Sequence, residues 1–138
     1  MEKEKLTARA SADAFECEIF RELWLESAHA IPNIPPGHPC GQMHGHTYRI
    51  RVWFRGVVKE GEPWWMDWGD GVEPVFDEIR DRLDHKDLGT VAGLECSSGE
   101  RLALWIMRFV ASRLDGVDRV EVNEGQKSGA TVRAGLRS

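Results

Sequence analysis

The sequence is poor in the features that would place it outside an ordinary reducing compartment. Its three cysteines, Cys17, Cys40 and Cys96, form an odd and scattered set. That excludes a disulfide framework and makes a cytoplasmic setting the expectation. No stretch approaches the roughly 18 consecutive apolar residues of a membrane-spanning helix. The opening Met-Glu-Lys-Glu-Lys-Leu-Thr-Ala-Arg has no apolar core for a signal peptide. Positive charge is also scarce: 18 Lys and Arg stand against 23 Asp and Glu, for a net charge of -5. A nucleic-acid binder would show a basic face, so that class is not expected, whereas a small anionic substrate needs only a few local cations. Internal repeats, low-complexity tracts and domain linkers are absent.

What remains is a globular composition, 41% hydrophobic and 30% charged over 138 residues, enough for one core in one domain. Residues 1–13 read as a flexible polar N-terminus and residues 14–138 as the single domain. Phe15, Cys17 and Ile19 alternate with polar neighbours, predicting a strand that continues, alone or as a second strand after Arg21-Glu22, through Leu23 and Leu25 towards His29. Four prolines between Ile31 and Cys40 exclude regular structure there. From His46, Tyr48, Ile50, Val52 and Phe54 share one face of a strand. Val72, Val75, Phe76, Ile79 and Leu83 then recur at helical spacing, with Asp70 and Glu73 as a capping box. Leu102, Trp105, Ile106, Phe109, Val110 and Leu114 mark a second helix, opened by a box of Ser97 and Glu100. Two short strands follow, about Val117 to Asn123 and Ala130 to Ala134. The order ββααββ predicts an α+β fold, a four-stranded antiparallel sheet with both helices on one face.

The chemistry concentrates at Cys40-Gly-Gln-Met-His-Gly-His46. In an extended chain His44 and His46 point to the same side, and His29 ends the preceding strand segment. Three imidazoles suit a catalytic zinc with one open position, although His-x-His also occurs in strands that bind nothing. Cys40 is either a fourth ligand, closing a structural site, or a nucleophile or base favoured by a nearby cation. His38 reads as a surface residue beside better-placed ligands. Taken alone, Asp84-His85 reads as a solvated carboxylate beside a helix-terminal histidine. A strand-end carboxylate such as Glu124 is solvated in most settings, but when buried it accepts two hydrogen bonds from an amidine-like ring edge.

Ser-Ala-His29, Gly37-His-Pro-Cys-Gly-Gln-Met-His-Gly-His46, Met66-Asp-Trp68, Leu83-Asp-His-Lys-Asp-Leu88, Gly93-Leu-Glu-Cys-Ser-Ser-Gly-Glu100 and Val122-Asn-Glu124 fall in a characteristic order. Over about residues 14 to 135 the chain resembles the 6-pyruvoyltetrahydropterin synthase / 6-carboxytetrahydropterin synthase family. The three-residue gap between Cys40 and His44 is similar to the carboxy-forming branch of the 7-deazapurine (queuosine) route. The resemblance implies the tunnelling fold (T-fold), assembled as a homo-oligomer of trimers or hexamers with active sites between subunits. It implies His29, His44 and His46 as ligands of Zn2+, Cys40, Asp84 and His85 as catalytic residues, and Glu124, Ser97 and Ser98 as pterin contacts. Ser97-Ser98, Gly89 and Gly125 stand where the family often has Pro-Thr, Asn and Thr.

The activity implied is conversion of 7,8-dihydroneopterin triphosphate to 6-carboxy-5,6,7,8-tetrahydropterin, with release of acetaldehyde and triphosphate. The alternatives are the pyruvoyl-forming activity on the same substrate and a non-catalytic zinc- or pterin-binding protein of the same fold. A small-molecule pterin triphosphate is the expected partner, with no nucleic acid and no membrane.

Overall fold

Two long runs of alternating residues become two 15-residue strands, β1 (Phe15–His29) and β2 (His44–Val58), paired antiparallel from Phe15 opposite Val58 to His29 opposite His44. The structure, a computed structural model, describes residues 14–135, so the expectation for residues 1–13 and for the last three residues of the domain lies outside the described residues. β1 is one strand rather than two. Arg21 keeps its register on the core face because its guanidinium bonds both oxygens of Glu73, at 2.6 and 2.9 Å, at the start of the first helix. That contact lowers the Glu73 carboxyl below its usual range. β3 (Val117–Glu124) and β4 (Ser128–Arg133) complete a meander in the order β1-β2-β3-β4. β2 begins at His44, two residues before the expected start, which puts both histidines of the His-Gly-His motif on the strand.

α1 (Glu73–Leu83) and α2 (Gly99–Ala111) cover one face of this sheet. The core forms where Leu23, Leu25, Tyr48, Ile50, Val52, Phe54, Val120 and Val122 meet Phe76, Ile79, Leu83, Leu102, Ile106 and Val110, all nearly inaccessible. Burying such side chains contributes about 1.5–3 kcal/mol each before entropy opposes it. Both predicted capping boxes shift. Glu73 is taken by Arg21, and the chain enters α1 through a wide π-type turn, Trp68–Val72, capped by Asp67 accepting from Gly69 N–H at 2.9 Å. At α2 the cap is Ser98, whose Oγ accepts from Arg101 N–H, because Ser97 is wholly buried one residue earlier.

The proline-rich segment returns to the end of β1: Ile31 N–H donates to Cys40 O at 2.7 Å, closing a loop between the two strands. The three site-bearing ends, those of β1, β2 and β3, therefore lie side by side at one edge of the core, beside the N-terminus of α2. Trp65 and Trp68 pack against the core and Trp64 is exposed. Among the described residues, no helix is long and apolar enough to cross a membrane.

Candidate metal centre

The pairing of β1 with β2 sets His29 directly opposite His44, and the period of two brings His46 to the same face. The three rings converge edge to face, with centroids 4.5, 5.1 and 4.9 Å apart, and one nitrogen from each lies within 4.8 Å of the others. Two tautomers are set by the backbone. His29 Nδ1 lies 2.7 Å from Ser97 O and His44 Nδ1 lies 2.7 Å from Gln42 O. A carbonyl only accepts, so both Nδ1 atoms carry a proton, and in the neutral form of each ring Nε2 presents a lone pair. These lone pairs face each other at 3.0 Å, an arrangement that needs a proton or a cation between them. His46 Nε2 is buried without a hydrogen bond among the described residues. Burial holds this ring below its ordinary pKa against the opposing pull of the Glu124 carboxylate, and His29 and His44 lower it further. Three imidazoles, two of them oriented by carbonyls, are the donor set a divalent metal takes. The residues present fit one.

Glu124 ends β3, with Oε2 3.3 Å from His46 Nε2 but outside hydrogen-bonding geometry. Its other oxygen rests against the first residue of α2: a Cβ added to Gly99 would lie 2.5 Å from Oε1. Ser97 contributes through its carbonyl, since its own Oγ is buried without a partner among the described residues, while Ser98 is occupied as the helix cap. Beneath the imidazoles the hydroxyl of the fully buried Tyr48 also finds no partner among the described residues. Its ring centroid is 5.4 Å from that of His46, and burial, then the Glu124 charge, push its pKa well above the usual range.

Asp84 and His85 are joined to each other, which the sequence alone disfavoured. His85 has a left-handed backbone, φ 57°, rare for a side chain with a Cβ. This conformation is held by its N–H donating to Glu26 O at 2.7 Å, and its Nδ1 comes within 3.2 Å of Asp84 Oδ2. Asp84 Oδ1 accepts from Glu26 N–H at 2.9 Å. Burial works to raise the Asp84 pKa, but the Glu26 amide and His85 outweigh it and leave it low. The imidazole is 78% exposed, on a cleft of about 540 Å³ also lined by Glu26, His46 and Thr47. Cys40 is a free, exposed thiol on a short 3-10 turn (Pro39–Gly41). His38 caps that turn, its Nδ1 accepting from Cys40 N–H at 3.1 Å. Among the described residues, no hydrogen bond joins the thiol to Asp84 or His85. One chain thus assembles the three histidines with Glu124 and Ser97, and leaves Cys40 and His85 exposed.

A sequence model of the family described as 6-pyruvoyl tetrahydropterin synthase matches residues 18–135. A protein of Archaeoglobus fulgidus provisionally named 6-carboxy-5,6,7,8-tetrahydropterin synthase is 32% identical over 110 residues, 79% of this chain and 89% of that protein. A 6-carboxy-5,6,7,8-tetrahydropterin synthase of Synechocystis is 28% identical over 117 residues, covering 81% and 89%. Dihydroneopterin monophosphate aldolase of Pyrococcus furiosus is 30% identical over 94 residues, covering 66% and 78%. Among solved structures, the 6-pyruvoyl tetrahydropterin synthase of Caenorhabditis elegans matches with a TM-score of 0.78 at 19% identity, over 86% of this chain and 96% of that one. At that identity the likeness concerns the fold.

Proposed function

The chain belongs to the 6-pyruvoyl tetrahydropterin synthase family of pterin-processing enzymes, and from that premise we propose that it is the carboxy-forming, zinc-dependent lyase. The reaction takes 7,8-dihydroneopterin triphosphate and water to 6-carboxy-5,6,7,8-tetrahydropterin, acetaldehyde and triphosphate, as a step towards a 7-deazapurine such as queuosine. The observation that carries this reading is the convergence of three imidazoles, two of them oriented by backbone carbonyls, beside a strand-end carboxylate.

In this reading His29, His44 and His46 hold the zinc, which when bound supplies Lewis acidity to the hydroxyls of the substrate side chain. The Cys40 thiolate removes a proton from the side-chain carbon. His85, steadied by Asp84, takes up and returns protons. Glu124 accepts two N–H bonds from the amidine-like edge of the pterin ring, a charge-assisted pair that sets its orientation, and Ser97 and Ser98 line the ring. Among the described residues no hydrogen bond joins Cys40 to His85, and the reading brings them together across a subunit boundary, in a trimer or a hexamer of stacked trimers. The outer edge of β1, bridged among the described residues at Ala28 to Asp87, and exposed Phe15, Phe20 and Trp24 support such pairing between copies. The three unpaired cysteines are in keeping with a cytoplasmic setting.

The test is incubation of zinc-loaded protein with 7,8-dihydroneopterin triphosphate, following both products. Acetaldehyde together with 6-carboxytetrahydropterin is the expected outcome. Triphosphate release without acetaldehyde points to the pyruvoyl-forming activity. A retro-aldol split to a phosphorylated two-carbon aldehyde points to the reaction class named in the Pyrococcus relative. Pterin binding with no product leaves a non-catalytic binder.

A further inference from the structure

One glycine beside the site sits where its own conformation does not require it. Gly99 is the first residue of α2, with no left-handed φ, and glycine in a helix costs up to about 1 kcal/mol against alanine. What its missing Cβ makes room for is the tip of Glu124. A Cβ at Gly99 would stand 2.5 Å from Oε1, 3.5 Å from Cδ and 3.9 Å from Cγ. The interference falls on the carboxylate and spares the stem. The opposite oxygen of the same carboxylate lies 3.3 Å from His46 Nε2. Two residues earlier on the same stretch, Ser97 O holds His29 Nδ1.

We propose that Gly99 is a positioning residue for Glu124: the space it leaves open lets the carboxylate lie between the start of α2 and His46, and so sets where the amidine-like edge of a pterin docks relative to the metal ligands. This rests on the pterin-binding reading above. The class of ligand concerned is a 2-amino-4-oxo pyrimidine ring presenting two parallel N–H donors. With a methyl at residue 99 the flexible end of Glu124 gives way, so the fold is retained while the acceptor pair moves. The hydrogen bonds it makes are charge-assisted, and losing their alignment costs at least one of them.

The test is Gly99→Ala in the full-length zinc-loaded protein, alone and with Glu124→Asp, whose shorter side chain leaves room for the methyl. Three measurements are made: binding of a non-reacting oxidised pterin by fluorescence, zinc content, and a crystal structure of the variant. Gly99→Ala is expected to weaken pterin binding about tenfold with zinc content unchanged. Glu124→Asp should weaken binding in the parent, yet recover part of the loss in the Gly99→Ala background. The crystal structure should show Oε1 displaced. Unchanged affinity in Gly99→Ala, or additive losses in the double variant, overturns the proposal, as does a Glu124 carboxylate that has not moved. A parent protein that binds no pterin overturns the functional reading instead, and the crystallographic comparison still decides whether Gly99 positions Glu124.

Discussion

His29 stands in two structures at once, the core and the proposed metal set, and its removal separates them. The ring is 2% exposed and its Nδ1–H satisfies Ser97 O at 2.7 Å. His29→Ala strands that carbonyl, at about 1–3 kcal/mol, and empties a ring-sized space in a packed interior, at about 2–5 kcal/mol if nothing collapses. Partial relaxation and water entry at the end of β1 offset some of this, so the expected loss in metal-free protein is about 3 kcal/mol. For a domain of this length that is a fall of roughly 12 °C in Tm. His44 is only half-buried and its partner, Gln42 O, is open to water, so His44→Ala should cost under about 1 kcal/mol. Zinc response should not discriminate between them. Free zinc at a thousandfold excess over Kd adds about 4 kcal/mol to the parent, and either substitution should abolish that rise. The assay is thermal unfolding with chelator and with zinc, beside metal content after dialysis. Equal Tm values for the two metal-free variants would refute the second role assigned to His29. A parent whose Tm ignores both zinc and chelator would refute the metal site itself.

Three further outcomes are expected. Cys40→Ala should retain zinc after dialysis and lose turnover by about 10²–10⁴-fold, the range for a positioned acid–base group; loss of zinc would make Cys40 a ligand. Tyr48→Phe removes a buried hydroxyl that has no partner among the described residues, and urea unfolding should find it neutral or stabilising by up to about 1 kcal/mol. Because burial raises the folded-state pKa of Tyr48, only the unfolded chain ionises near pH 10. Parent stability is therefore insensitive to this group at lower pH and falls as pH rises past that value, a slope the variant should lack. Gly116→Ala should cost about 2–4 kcal/mol by the same measurement. Gly116 has φ +81°, and an added Cβ would meet Trp65 at 2.3 Å and Arg55 O at 2.9 Å, whereas Gly61, also at φ +81°, has open space and should lose only about 1 kcal/mol.

The ββααββ order, the two helix spans and the inward faces of β1 and β2 were legible because apolar periodicity is a local property of the chain. The His-x-His pair was legible for the same reason, since any strand turns residues two apart to one side. Helix entry was less so. Ser97 and Ser98 are identical in chemistry, and only packing decides that Ser97 is buried and Ser98 becomes the cap. The join between Asp84 and His85 escaped because it depends on a left-handed backbone that Glu26, 59 residues away in sequence, holds in place.

By itself, then, the sequence determined the fold class, the metal-capable histidines and the family, since these rest on patterns and motifs carried along the chain. The tertiary structure alone decided which ring nitrogens hold lone pairs, because the acceptors are backbone carbonyls of Ser97 and Gln42 and carry no side-chain signature. It also decided that Gly99 opens the space for Glu124, and that His38 caps the Cys40 turn. Each of these is a contact at atomic range between segments whose approach only the packed core defines.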